Sequence, residues 1–197
     1  MNEQYVKASL CEARACLDAL ISNEQMLQKI AQAGQEIVKS QRLGGSVYSC
    51  GNGGSLCDAM HFAEEMTGRY RKDRQAFRAA AIADVSHMAC VANDFGYLDV
   101  FSRWIEAFGK REDVLLAIST SGKSSNILKA ARAAKEKGMT VIALTGREKS
   151  ELCELADVAI VTPAGIWADR IQELHIKVIH ILIELVEREL SPDNYKD

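Results

Sequence analysis

Ser46-Val47-Tyr48-Ser49-Cys50-Gly51-Asn52-Gly53-Gly54-Ser55-Leu56-Cys57-Asp58-Ala59-Met60-His61-Phe62-Ala63-Glu64-Glu65 is the stretch that decides the fold. A short apolar run, residues 46–50, enters a glycine-rich turn at Gly51, Gly53 and Gly54 and leaves it as an amphipathic helical pattern. Glycine tolerates positive φ and lets the backbone come close to a ligand. The same alternation continues outward. β-prone runs recur at 78–83, 114–119, 140–145 and 158–162, and helical patterns at 55–68, 86–92, 99–108, 124–137, 149–155 and 168–190 separate them. Short apolar strands alternating with helices predict an α/β three-layer sandwich around a five-stranded parallel, flavodoxin-like sheet covered on both faces. Two extra helices, about 3–21 and 23–42, precede the sheet, and Gly44-Gly45 closes the second. With two prolines and no low-complexity tract, 1–197 reads as one domain, residues 1–43 supplying the N-terminal helices and 44–190 the α/β core. Ligands in such folds bind beyond the carboxyl ends of the strands.

Several polar residues fall there. At about 100° per residue, Leu56, Ala59, Met60, Phe62, Ala63 and Met66 share one stripe, and Asp58, His61, Glu65 and Arg69 the opposite one. Ser55 is placed to cap this helix, with Asp58 completing a box-like start. His61 and Glu65 lie one turn apart and point the same way. A solvated helix face also carries such pairs, so the pair alone is not a site. The turn Ser119-Thr120-Ser121-Gly122-Lys123-Ser124 supplies hydroxyls and N–H groups at a helix start, a setting suited to phosphate. Its spacing is not that of a nucleotide-hydrolysing P-loop, and the plainer alternative is a serine-rich turn with Ser124 as cap. Asp169, Gln172 and His180 occupy the narrow polar strip of the last helix. Gln172 and His180 share a ligand only if both side chains lean together, or if a neighbouring subunit completes the site. His175 lies in the apolar arc and reads as structural, and His87 as a hydrogen-bonding residue. Asn93-Asp94 fits either a sugar hydroxyl or a turn.

Composition limits the partners. A net charge of −3 leaves no electrostatic footprint for nucleic acid. No run of ~18 apolar residues and no signal-peptide pattern is present, so neither a membrane partner nor export is expected. Cys11, Cys16, Cys50, Cys57, Cys90 and Cys153 show no CxxC spacing and sit in apolar patterns, which reads as buried thiols in a reducing cytoplasm. The apolar arc of the last helix, Leu174 to Val186, is wider than the ~100° stripe of a surface helix. That width suggests a homo-oligomer.

The motifs Cys50-Gly-Asn-Gly-Gly-Ser55, Asp58-Ala-Met-His-Phe-Ala-Glu-Glu65, Asn93-Asp-Phe95, Ser119-Thr-Ser-Gly-Lys-Ser124 and Arg170-Ile-Gln-Glu-Leu-His-Ile-Lys-Val-Ile-His180 together resemble the phosphoheptose isomerases of the sugar isomerase (SIS) domain superfamily. The resemblance runs from about Gly45 to Glu189. Lys123 departs from it, where asparagine is expected. The resemblance implies a homotetramer with active sites at subunit interfaces. It implies aldose–ketose isomerisation of sedoheptulose 7-phosphate to D-glycero-D-manno-heptose 7-phosphate, the first step toward ADP-heptose for lipopolysaccharide. By position, Ser119, Thr120, Ser121 and Ser124 would hold the phosphate, and Asn52, Gly53, Gly54, Asn93 and Asp94 the sugar chain. Ser55, Asp169, Gln172 and Glu65 are further expected substrate contacts. His61, Glu65, Gln172 and His180 would bind one zinc per subunit, with Glu65 and His180 moving the protons. Two other classes share the superfamily. A non-catalytic member that binds a replication initiator lacks the residues matching Glu65 and His180, and isomerases of other sugar phosphates usually carry regulatory domains for which this chain has no room.

Overall fold

A computed structural model describes residues 2–163 and 165–196. Strands β1 (Val47–Cys50), β2 (Ala79–Ala81), β3 (Val114–Ile118), β4 (Thr140–Thr145) and β5 (Val158–Val161) form one sheet in the order β2-β1-β3-β4-β5. Every pairing is parallel, with Val47 level with both Ala79 and Val114. The chain winds to one side of β1 and then to the other, so a switch point lies between β1 and β3, where the carboxyl ends of the strands open a crevice. The expected flavodoxin-like order is the one observed.

Among the described residues, eight α-helices surround the sheet: α1 (Glu3–Ile21), α2 (Glu24–Arg42), α3 (Gly54–Thr67), α4 (Val85–Asp94), α5 (Ser102–Phe108), α6 (Ser125–Glu136), α7 (Glu151–Leu155) and α8 (Ala168–Leu190). Alternation along β3 assigns them to faces. Val114, Leu116 and Ile118 join a core built with α2, α3 and α8, whereas Leu115 and Ala117 join one built with α4 to α7. Each fully buried Leu or Ile here contributes about 1.5–3 kcal/mol of burial. Helix α2 ends as its glycines foretell. Gly44 takes φ +77°, its N–H donates to Gln41 O, and the Gly45 N–H donates to Ser40 O, satisfying carbonyls the last turn leaves open.

Four expectations need correction. Met60 is exposed, because the buried stripe of α3 is Ser55, Ala59, Phe62, Ala63 and Met66, turned by about a third of the ~100° residue step from the expected one, which leaves Met60 outside it. Helix α4 runs on through Asn93 and Asp94, and the turn comes at Gly96 with φ +95°. The cysteines are free, but only Cys50 is buried, and burial pushes its thiol up to about 12. Finally, Leu174, Val178, Ile179, Leu182, Ile183 and Val186 of α8 belong to the same core as α2 and α3, so the chain itself covers the wide apolar arc. Ile181 alone of that arc is open, at 41 % exposure. The arc is therefore no reason for a partner; the exposed apolar residues lie elsewhere, as with Tyr5, Val6 and Leu10 on α1.

Candidate functional site

The turn after β1 is shaped by what its glycines lack. A Cβ on Gly51 would lie 2.4 Å from the Ser55 carbonyl oxygen, so the turn can fold back on α3 only without a side chain there. Gly53 takes φ +56° at the N-cap, a conformation that strains other residues. The helix thus begins at Gly54, and Ser55 is a buried residue of its first turn instead of its cap. Asn52 is engaged as well. Its amide and that of Asn126 exchange two hydrogen bonds of 2.9 Å, and the Tyr97 hydroxyl donates to Asn52 Oδ1 at 3.2 Å. The glycine loop is thereby fastened to the start of α6.

The serine loop leads into that same helix. Ser119 is buried and its hydroxyl donates to Ser124 Oγ at 3.2 Å, while Ser121 Oγ accepts from the Lys123 N–H at 3.2 Å. Ser124 stands at the N-cap position, yet its side chain bonds no helix N–H. Gly122 has φ +64°, and a Cβ there would meet Ser150 Oγ at 2.3 Å. Among the described residues, the N–H groups of Thr120, Ser121 and Ser124 donate to no protein acceptor. With the open first turn of α6, they form a concave set of donors suited to an anion.

Beyond these loops, α3 and α8 bring three of the four expected ligands together. His61 Nε2 lies 2.9 Å from His180 Nε2 and 3.6 Å from Glu65 Oε1. Glu64 Oε1 approaches the other ring nitrogen, His61 Nδ1, at 3.4 Å. The donor atoms of His61, Glu64 and Glu65 all lie within 4.8 Å of one another. A carboxylate at Nδ1 favours the tautomer that leaves the Nε2 lone pair free, as metal-bound histidines require. Burial lowers the pKa of His180, and the charge of His61 lowers it further while Glu65 opposes. One turn earlier, burial raises Asp58 to about 6 against the pull of His61, and its Oδ2 is buried without a partner among the described residues.

The remaining expected residues are placed differently. Gln172 does not bond the histidines; its amide lies against Gly54, where an added Cβ would meet Nε2 at 2.7 Å. Asn93 donates to Asp94 Oδ1 at 2.7 Å, and neither bonds the two loops. Asp169 is exposed and accepts from the Arg170 N–H at 2.8 Å. His87 Nε2 is 2.9 Å from the Val100 carbonyl oxygen and its ring stands edge-on to Trp104, in keeping with a hydrogen-bonding role. His175 is fully buried, as a structural histidine would be. Sequence reasoning missed Glu64, Asn126 and Tyr97. Glu64 had a signal, its three-residue spacing from His61. The amide pair had none, since 74 residues separate its halves.

Known proteins with this architecture are close in sequence. The sequence model of the SIS domain matches residues 10–146. The phosphoheptose isomerase of Histophilus somni is 58% identical over 191 residues, 97% of this chain and 98% of that protein. That of Aeromonas hydrophila is 56% identical over 97% of this chain and all of its own length. The structure of the phosphoheptose isomerase from Neisseria gonorrhoeae superposes with a TM-score of 0.87 at 34% identity, covering 95% of this chain and 99% of the other. A phosphoheptose isomerase structure from Francisella tularensis gives 0.90 at 29% identity over the same shares. Sequence and fold lead to one conclusion: this chain belongs to the phosphoheptose isomerase family of SIS-domain proteins.

Proposed function

We propose that this protein isomerises sedoheptulose 7-phosphate to D-glycero-D-manno-heptose 7-phosphate, with His61, Glu65 and His180 at the reacting end of the sugar. The observation that carries the reading is the convergence of both Nε2 atoms and the Glu65 carboxylate at 2.9 and 3.6 Å, between α3 and α8. Two imidazoles and a carboxylate form a donor set that suits zinc, and His61, Glu65 and His180 would hold it. Gln172 would join them only by leaving Gly54. Bound zinc would polarise the sugar's carbonyl and hydroxyl oxygens.

The residues then divide the proton transfers. The Glu65 carboxylate takes a proton from C1 of the ketose, which leaves an enediolate, and returns it to C2. His180, when its Nε2 is free of metal, moves the hydroxyl proton between the two oxygens, and burial holds its pKa below the ordinary histidine value. Glu64 orients the His61 ring through Nδ1. At the other end, the Thr120, Ser121 and Ser124 N–H groups and the serine hydroxyls receive the phosphate. Lys123 is the one formal positive charge in that loop, so geometry at the helix start does most of the binding. Gly53, Gly54, Gln172, Asn93, Asp94 and Asp169 are left for the sugar chain.

We further propose a homotetramer acting in the cytoplasm. The free cysteines and the exposed Tyr5, Val6 and Leu10 of α1 support this. Among the described residues no helix is long and apolar enough to cross a membrane. The test is turnover of sedoheptulose 7-phosphate in deuterated water, before and after chelation. Deuterium should enter at C1 of recovered ketose, chelation should abolish turnover, and added zinc should restore it. Neither turnover nor exchange in the zinc-loaded protein would overturn the reading.

A further inference from the structure

Outside the ligand cluster, one buried charge touches the helix that carries Glu65. Arg74, in the segment between α3 and β2, is 1 % exposed in its side chain and pairs with the fully buried Glu187 of α8 through Nε and Oε1 at 2.6 Å. Its other two nitrogens do something a plain ion pair does not. Nη2 donates to the Glu65 carbonyl oxygen at 2.7 Å, and Nη1 to the Met66 carbonyl oxygen at 2.9 Å. These carbonyls belong to the last turn of α3, which has no helical donors for them. Cation and helix C-terminus also attract. The Phe77 ring lies 4.2 Å from the guanidinium carbon, and Tyr195 donates to the second Glu187 oxygen at 2.8 Å.

The same segment runs along α8 at two earlier points. The Tyr70 hydroxyl donates to the His180 carbonyl oxygen at 3.3 Å, and Arg71 Nη2 meets Glu184 Oε2 at 2.8 Å. Arg74 thus joins the backbone of Glu65 to the helix that carries His180. A cation fully removed from water is costly unless it is paired and hydrogen-bonded. Here all three nitrogens donate, Nη1 also to the Gln75 carbonyl oxygen at 3.2 Å, so four of the five N–H groups are matched, and two of the partners are backbone atoms at and beside the proposed base.

Resting on the function proposed above, we propose that Arg74 is a positioning residue: with Glu187 it sets the distance between the Glu65 carboxylate and His180, and so governs turnover more than substrate binding. A displacement of about 1 Å at a reacting group is enough to cost on the order of 100-fold in rate.

The decisive variant is the double substitution Arg74→Met with Glu187→Met in the zinc-loaded protein. It removes both buried charges together, so neither is left unpaired, and an apolar pair of similar volume is commonly tolerated. The proposal expects a thermal midpoint close to the parent's, KM for sedoheptulose 7-phosphate within twofold, and kcat lower by at least tenfold. A purely structural ion pair predicts parent-like kcat once the fold is retained, and that result would overturn the proposal. Should the double variant not fold, Arg74→Lys decides. Lysine keeps the charge and reaches Glu187 but lacks the planar fork that spans two carbonyls. A fivefold or greater fall in kcat at unchanged KM supports the role, and kcat within twofold of the parent overturns it. The parent is assayed alongside: a parent without turnover removes the functional reading itself, whereas an active parent with equally active variants removes only the role of Arg74.

Discussion

At the scale of single residues, the site is a contrast between groups that are matched and groups that are not. Glu65 and His180 face each other across His61, and the expected consequence of Glu65→Gln is a folded protein that binds substrate and turns over about 10²–10⁴-fold more slowly. Single-turnover kinetics check it, and turnover within a few-fold of the parent would remove Glu65 from the base role. His175 behaves in the opposite way. Both ring nitrogens are buried without an aligned partner among the described residues, and burial drives its pKa down from 6.5 to about 4 against a weaker pull from the Thr145 backbone. A histidine depressed in the folded state contributes no penalty above the unfolded pKa. Its cost grows as pH falls from 6.5 toward 4, because only the unfolded chain takes the proton. Stability should therefore drop by about 2 kcal/mol between pH 7.5 and pH 5 from this residue alone. Urea unfolding of His175→Leu at the two pH values should show that much less dependence than the parent. Equal slopes in parent and variant would show that His175 is not the titrating group.

Elements carry the ligand loops, and here the sequence was uneven as a guide. Strand and helix identity was legible almost throughout, because short apolar runs followed by 3.6-residue periodicity admit few other readings. Gly44-Gly45 marked the end of α2 correctly, since positive φ at that point is a local requirement. What failed was anything set by distance in space. The width of the apolar arc on α8 could not say whether α2 and α3 or another subunit covers it. Helical periodicity placed Gln172 and His180 two turns apart, but only the fold shows Gln172 resting on Gly54. The resemblance gives Asn52 to the sugar chain, but its pairing with Asn126 is invisible in a sequence that holds the two 74 residues apart. The serine loop yields the element-scale prediction. With φ +64° and Ser150 Oγ 2.3 Å from a would-be Cβ, Gly122→Ala should distort the loop and cost about 1–2 kcal/mol in backbone strain alone. Its KM for sedoheptulose 7-phosphate should rise, whereas Lys123→Ala should change KM much less. Calorimetric titration compares them, and a larger loss from Lys123→Ala would mean that charge, not loop geometry, binds the phosphate.

For the whole molecule, the core assignment changes what a charge on α8 tests. Ile179 and Val186 are fully buried within the chain's own core, so Ile179→Lys should unfold the protomer instead of splitting an assembly. Leu10→Lys, on the exposed face of α1, is the variant that should lower the oligomeric state while each protomer stays folded. Light scattering at micromolar concentration should find a tetramer for the parent and a smaller species for Leu10→Lys. A parent that is monomeric and fully active would remove the assembly altogether.

The amide pair that fastens the glycine loop also bears on how the protein ages. Asn52 precedes Gly53, and an asparagine followed by glycine is chemically fragile: with no side chain to hinder it, the next backbone nitrogen can attack the asparagine carbonyl carbon and expel ammonia. The product of that attack is a cyclic succinimide, which water then opens to isoaspartate, and the attack needs the side chain free to rotate onto its own backbone. Here both ends of the Asn52 amide are held by Asn126, and Tyr97 adds a third bond. The folded chain should therefore resist this decay at Asn52 for as long as the pair is closed. Asn126→Ala should accumulate isoaspartate at residue 52 faster than the parent on prolonged warm storage, a difference that peptide mapping reads directly. The pair that joins the glycine loop to the start of α6 should thus also slow this decay.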